Sequence, residues 1–314
     1  MDDKERARRF RRERREQLRR SVLIQTDTVR EVLVWLEQAR TGILAALAGT
    51  PSSFESWRLG HLSVEVRRTM DLFERGATDV LTRGLDRAWL AGSDLVVQPL
   101  AAGGIDLSGQ LPALDARLLI AMRSFQADRI RDISTTAVNR INQEIGQAAL
   151  GLRSPFEAAR QVGELLDTSA GRARRIVRDE LGTVYSEAGQ QRMEQAKAAG
   201  VAGLQKQWRR SGKLHARITH DLADGQIVDV DQPFMVGGLE IPKPRDPSIP
   251  LGERINCGCA SLPYMRHWRV STPGPRPYSA QELATSPAAR QVEEVRAATP
   301  IASQALLPGR SRAS

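Results

Sequence analysis

Between Ser21 and Gly200 apolar residues return every three or four positions, and beyond Gly200 that rhythm is lost. The spacing gathers apolar side chains on one stripe of an α-helix, so more than half of the chain is committed to helices with a buried side and a wet side. The first run passes through Val22, Val29, Val32, Leu33, Leu36, Ile43, Leu44 and Leu47 and stops at Gly49-Thr50-Pro51. A second, capped by Ser52 or Ser53 with Glu55 in its first turn, continues through Leu59, Leu62, Val66, Met70, Phe73, Val80, Leu81, Leu85 and Trp89. Gly76, Gly84 and Gly92 weaken that helix and predict a kink or a split. A turn-rich break from Leu100 to Pro112 precedes a third run, 114–149, with Leu118, Ile120, Met122, Phe125, Ile130, Ile133, Val138, Ile141 and Ile145 on its stripe. Ser154-Pro155 opens a fourth helix reaching Leu166, and Thr168 or Ser169 caps a fifth that ends at Gly200.

Aromatic residues make up only 4% of the chain, so its cores must be filled by Leu, Ile, Val and Ala, which suits packed helices. After Gly200, Leu204 to Arg210 alternates and predicts a strand closed by Ser211-Gly212. The expected fold class is a mostly α N-terminal region forming an extended helical bundle, followed by a small C-terminal α+β domain forming a compact knob. The expected divisions are a basic N-terminal extension over 1–20, a helical region over 21–153, an α+β domain over 154–268, and a flexible Pro/Ala/Ser-rich tail over 269–314. Within that tail a short helix fits Ala280 to Ala298.

The formal net charge is +9, and +5 of it lies in the first twenty residues, where ten basic residues face five acidic ones. Arg6, Arg8, Arg9, Arg11, Arg12, Arg14, Arg15, Arg19 and Arg20 are candidate contacts to double-stranded DNA. Only Phe10 is aromatic there, so contact would be to phosphate, non-specific in sequence and weakened by salt. A solvated, frayed extension explains the same residues equally well. The start of the chain lacks the apolar core of a secretory signal, and no apolar run is long enough to span a membrane. Two cysteines spaced Cys257-Gly258-Cys259 do not make a secreted disulfide framework, so a reducing compartment and synthesis in the cytoplasm are expected.

Both cysteines and two of the four histidines, His215 and His220, fall between Gln207 and Tyr264. On a strand the sulfurs of Cys257 and Cys259 would share one face. His220, returned by the proline-rich loop, would complete a structural zinc site with His215, Asp224 or a water as fourth ligand. The other account makes the cysteines small buried residues of a terminal strand and has His220 hydrogen-bonded to Asp224 across a turn. Upstream, Arg178, Glu180 and Tyr185 share a helix, where ion pairs locking it to its neighbours are the plainer account. A metal-dependent nuclease built on His220, Asp224 and Glu180 is the runner-up to a non-enzymatic role. A Cys-x-Cys pair suits magnesium poorly.

The order of these pieces carries a resemblance. A helix with Arg178-Asp179-Glu180 is followed by a strand with Trp208, then His220 and Asp224-Gly225. Next come a Phe234 segment, Pro242, Pro244 and Pro247, and finally Glu253-Arg254-Ile255-Asn256-Cys257-Gly258-Cys259. This order resembles the C-terminal domain of the phage Mu F-like minor head proteins, also called the phage head morphogenesis family, over roughly residues 155 to 264. The family's last motif usually reads Asn-Cys-Arg-Cys, and Gly258 here takes the place of the arginine. The resemblance implies structural roles for Arg178, Glu180, Trp208, Asp224, Gly225 and Asn256. It also implies a minor virion protein in the head interior near the portal, made beside the portal protein and assembled with it. Major capsid or scaffolding protein and packaged DNA are further implied partners, and some relatives accompany the DNA at ejection.

Overall fold

The structure is a computed structural model that describes residues 1–48, 56–212, 217–268 and 274–298. Four long helices come first: α1 (Asp3–Ala48), α2 (Ser56–Ala102), α3 (Arg117–Ala149) and α4 (Pro155–Ala198). A small C-terminal region of short antiparallel strands and short helices follows: β1 (Leu204–Arg209), α5 (Ile218–Leu222), β2 (Ile227–Asp229), β3 (Phe234–Val236), β4 (Leu239–Ile241), α6 (Leu251–Arg254) and β5 (Ala260–Met265). Two more helices, α7 (Ala280–Thr285) and α8 (Pro287–Ala298), complete the described chain. The expected mostly α architecture with a small C-terminal α+β part is what forms. No described helix is long and apolar enough to cross a membrane.

The helix boundaries show where local chemistry decided and where it did not. Ser154 caps α4 in a reciprocal box, its Oγ accepting from Glu157 N at 3.2 Å while Glu157 Oε2 accepts from Ser154 N at 3.0 Å. At the far end Gly200 takes φ +89°, and Val201 N reaches back to Ala196 O at 3.1 Å, closing the last turn as a C-terminal glycine permits. Thr168 and Ser169, expected to start a fifth helix, instead lie inside α4. Their hydroxyls bond to the carbonyls of Glu164 and Leu165 at 3.0 Å each, so the helix runs on without a break. Helix α2 likewise neither splits nor stops at Leu100, and the break begins at Gly103. Ser52, Ser53 and Glu55 lie outside the described residues.

Three of the four glycines of α2, Gly76, Gly84 and Gly92, mark contacts rather than weak points. A Cβ on Gly76 would lie 2.3 Å from the Trp35 ring, one on Gly84 2.6 Å from Thr28 Cγ2, and one on Gly92 2.4 Å from the carbonyl oxygen of Tyr185. Each lets a neighbouring element come closer than any side chain would allow.

The chain folds into two compact units, to both of which α1, α2 and α4 contribute residues. One comprises Leu23–Arg87 and Ala116–Leu181 and is a helix bundle. Val32, Leu36 and Ile43 of α1, Met70 and Phe73 of α2, Ile130 and Ile141 of α3 and Val162 and Val177 of α4 are buried in it. Ile120 and Phe125, expected on the buried stripe of the third run, point outward, as does Val22 in the other unit.

The other unit comprises Met1–Val22, Ala88–Asp115 and Gly182–Ser314. Its three-stranded antiparallel sheet has the order β2-β1-β5, with Leu204 opposite Met265 and Arg209 opposite Ala260. A β3–β4 hairpin turns at Gly237 and Gly238, both at positive φ, as a two-residue turn requires. One core cluster joins Ala7 and Phe10 of α1 to Val96 and Leu100 of α2, Met193 of α4, Leu204 and Met265 of the sheet, and Trp268. Residues 3–22 therefore form a helix packed along one face and not a frayed extension. Phe10 meets Trp268 edge to face at 5.4 Å, and Arg14 donates to the carbonyl of Pro263 at 3.0 Å.

Residues 274–298 are packed as well, where the sequence suggested a flexible tail. Ser279 and Glu282 form a capping box at α7, and Pro287 ends the single expected helix by removing a backbone donor. Ser286 then caps α8, accepting from Ala289 N at 3.2 Å. Ala289 and Val292 of α8 are buried. Residues 269–273 and 299–314 lie outside the described residues.

Candidate metal centre

Trp208 organises the site. It sits fully buried near the end of the central strand β1, and its indole N–H donates to the carbonyl of His220 at 3.0 Å. Its ring meets His220 edge-on at 5.4 Å and Phe234 at 5.3 Å. That arrangement holds the short helix α5 against the sheet and aims the imidazole inward.

Cys257 and Cys259 do not lie on a strand, since β5 starts at Ala260. They occupy the loop before it. Asn256, at φ +56°, reverses the chain after α6, a conformation that asparagine tolerates better than most residues. The reversal turns both sulfurs onto His220. Cys257 Sγ lies 3.5 Å and Cys259 Sγ 3.7 Å from Nδ1, and the three ligand atoms fall within 4.8 Å of one another. All three residues are buried.

The other imidazole nitrogen faces Glu253, with Nε2 2.8 Å from Oε2. Glu253 opens the closing motif of the sequence but has no role assigned there; it stands near the end of the one-turn helix α6, just ahead of Asn256. The carboxylate is held below its usual range mainly by the bond to His220. Arg217 braces this corner by donating to the carbonyl of Ile255 at 2.7 Å.

Burial works against the imidazolium, but the bonds to Cys257 and Glu253 outweigh it and raise the pKa to about 9. The hydrogen bond from Cys259, with help from His220, draws the Cys257 thiol well below its ordinary value. Cys259, beside that sulfur and buried, is pushed well above. The pair thus gives up one proton readily and holds the other between the two sulfurs. Buried Arg245, which packs on Gly182, also favours the Cys257 thiolate.

Asp224 is engaged elsewhere, so the expected His220–Asp224 bond does not form. Its carboxylate accepts from Arg209 Nη1 at 3.1 Å, Arg210 N at 2.9 Å and Arg276 N at 2.6 Å. Helix α5 ends at Leu222, which carries Asp224 past its last turn and away from the imidazole. Gly225, at φ +89°, donates to the carbonyl of Trp208, and a Cβ there would lie 2.3 Å from the backbone of Gly274. His215 lies outside the described residues. Glu180 is buried in the bundle unit, where it pairs with Arg129, and Arg178 is exposed. Tyr185 is buried, and burial pushes its phenol far above its usual value.

Chemically the site joins a thiol, an imidazole and a carboxylate in the order of a nucleophile relay. Cys257 and His220 are each only 2% exposed, so a substrate has no approach to that sulfur. A soft N/S donor set around a sealed centre fits a structural role.

Among the nine candidate DNA-contacting arginines, Arg8, Arg9, Arg12, Arg15, Arg19 and Arg20 are exposed, Arg6 and Arg11 are half-buried, and Arg14 is buried. Arg8 and Arg9 pair with Glu5, Arg19 approaches Glu16 at 3.9 Å, and Arg20 pairs with Asp94. Arg8, Arg12, Arg15 and Arg19 recur at helical spacing and form one stripe opposite the buried face of Ala7, Phe10, Arg14 and Gln17.

Comparison with known proteins adds a family. The NAD(+)–arginine ADP-ribosyltransferase EFV of Enterococcus faecalis (strain ATCC 700802 / V583) is 34% identical over 110 residues, 35% of this chain and 22% of that protein. The uncharacterized protein YqbB of Bacillus subtilis (strain 168) is 37% identical over 70 residues, 21% of this chain and 23% of that protein. The chain thus spans less than a quarter of the length of either relative. No solved structure matches it. Residues 139–262 match the family described as Phage Mu protein F like protein, a span that encloses Trp208, His220, Glu253, Cys257 and Cys259. Over that span this chain is similar to the phage Mu protein F-like proteins.

Proposed function

We propose that this chain is a minor head protein of a tailed phage, made in the host cytoplasm and assembled into the head interior beside the portal. The observation that carries this reading is the match over residues 139–262 to a family associated with phage head morphogenesis. The portal protein is its first partner, and major capsid or scaffolding protein are further ones. Packaged DNA is held without sequence preference by the exposed arginines of α1, and the protein accompanies the genome at ejection. The role is non-enzymatic. Burial of His220 and Cys257 and the engagement of Asp224 by three donors support that, since neither site leaves a group free to act on a phosphodiester. The ADP-ribosyltransferase activity in one relative's name is not carried over, because the similarity covers so little of that protein.

The arginine stripe supports the DNA contact, because four exposed cations on one helix face match a line of phosphates. Deleting residues 1–20 would remove Phe10 and Arg14 from the core, so the appropriate variant replaces Arg8, Arg12, Arg15 and Arg19 with glutamine. Affinity for duplex DNA is expected to fall, and the slope of log K against log salt to flatten by about 3 to 4 if each arginine meets one phosphate. An unchanged slope removes the DNA surface. Copy number and position in an intact particle test the head assignment itself: a chain absent from purified particles overturns it.

A further inference from the structure

Around His220 one ring nitrogen faces two sulfurs. Glu253, an ionised carboxylate, takes the Nε2–H and so leaves Nδ1 pointing at Cys257 and Cys259. One nitrogen makes one close hydrogen bond, yet the two sulfurs stand at nearly equal distances from it. Three soft donor atoms converging on one buried point is the arrangement that the ligands of a metal ion take.

A cation at their centre satisfies all three atoms at once. Zinc bonds of about 2.3 Å to sulfur and about 2.0–2.1 Å to nitrogen, set at the tetrahedral angle, give an N···S edge of about 3.5–3.6 Å. The two edges present are 3.5 and 3.7 Å. The carboxylate behind the imidazole is the outer partner that metal-bound histidines usually have.

We propose that His220 Nδ1, Cys257 Sγ and Cys259 Sγ hold one zinc ion, with Glu253 orienting the imidazole from behind. Thiolate and imidazole together select zinc over magnesium or calcium, which take oxygen ligands. Among the described residues no fourth His, Cys, Asp or Glu joins the three, and a water molecule fills the remaining position. The ion pins α5 to the loop that leads into β5, joining residues far apart in the chain. Its role is structural, because the site is buried. This inference does not depend on the head-protein reading, and either can fail alone.

The test uses the full chain, purified without chelator and with zinc supplied. One zinc per chain is expected by elemental analysis, and the cobalt(II)-exchanged protein should show the intense visible bands of a tetrahedral site and a thiolate charge-transfer band. Cys257→Ser with Cys259→Ser should lose both signals. Because that variant can also fail to fold, Glu253→Gln serves as the second: its half-exposed side chain is not part of the core, and zinc affinity should drop about 10–100-fold with the circular dichroism spectrum unchanged. Wild-type protein that holds no zinc and gives a cobalt spectrum without the thiolate band overturns the site. So does zinc retained at full affinity in the double cysteine variant.

Discussion

Gly92→Ala tests whether the glycines of α2 are contact points between helices. In a free helix alanine is better than glycine by about 1 kcal/mol, so a reading from propensity alone predicts a more stable protein. The structure predicts the opposite. A Cβ at position 92 would lie 2.4 Å from the carbonyl oxygen of Tyr185, 2.8 Å from Ala188 Cβ and 3.2 Å from Gly189 N. Comfortable contact needs about 3.5 Å, so α2 and α4 must part locally by about 1 Å, and two of the three obstacles are backbone atoms that cannot swing aside. Overpacking of this kind costs about 3 kcal/mol at the upper end of its usual range. Subtracting the propensity gain leaves a net loss of about 2 kcal/mol, which is a fall of roughly 1 M in the urea midpoint of a small domain. Gly189→Ala, across the same contact, is the control. Its first obstacle is the Gly92 carbonyl at 3.4 Å, so it should be neutral or slightly stabilising. Urea unfolding followed by tryptophan fluorescence measures both. A Gly92→Ala protein at least as stable as wild type would refute the close-contact argument.

Two further perturbations test the sheet unit. Lys206 is buried beneath Phe234, 2.7 Å from the carbonyl of Pro242 and 3.3 Å from Gln190, and burial lowers its pKa from 10.5 to about 8. The fold therefore penalises the protonated amine; the penalty is complete below pH 8 and relieved as pH rises from about 8 toward 10.5, so this residue makes the folded state more stable with rising pH across that window. The melting-temperature difference between wild type and Lys206→Met should drift in wild type's favour from pH 7 to pH 10, and a constant difference contradicts the assignment. Trp208→Phe removes the indole N–H from the buried carbonyl of His220 and opens a small cavity, an expected loss of about 2–4 kcal/mol in urea unfolding, and a loss under about 1 kcal/mol would mean that Trp208 does not organise the site.

Much of the helical half was legible because helix chemistry is local. The three-to-four spacing, the Ser154 cap and the Gly200 stop each depend on residues a turn apart, and each is found where the letters place it. The same local reasoning misjudged Thr168 and Ser169, whose hydroxyls serve equally well bonded to carbonyls inside a helix. It also misjudged residues 3–22. Charge composition suggested an extension, but Ala7, Phe10, Arg14 and Gln17 recur on one face, and that face is buried. A run of arginines hides such a stripe because arginine occupies positions on both sides of the helix.

The candidate centre divides along the same line. Residue order alone tells that a strand bearing Trp208 is followed by a histidine and a pair of thiols, and that the chain between them turns often. What the histidine meets follows from the folded chain. Glu253 instead of Asp224 stands behind it, because α5 ends before Asp224 while the left-handed Asn256 folds Glu253 and both sulfurs onto one imidazole. Periodicity and caps act across a few residues and can be read along the chain, whereas a ligand's partner depends on how distant turns stack and on which buried polar atoms must be satisfied together.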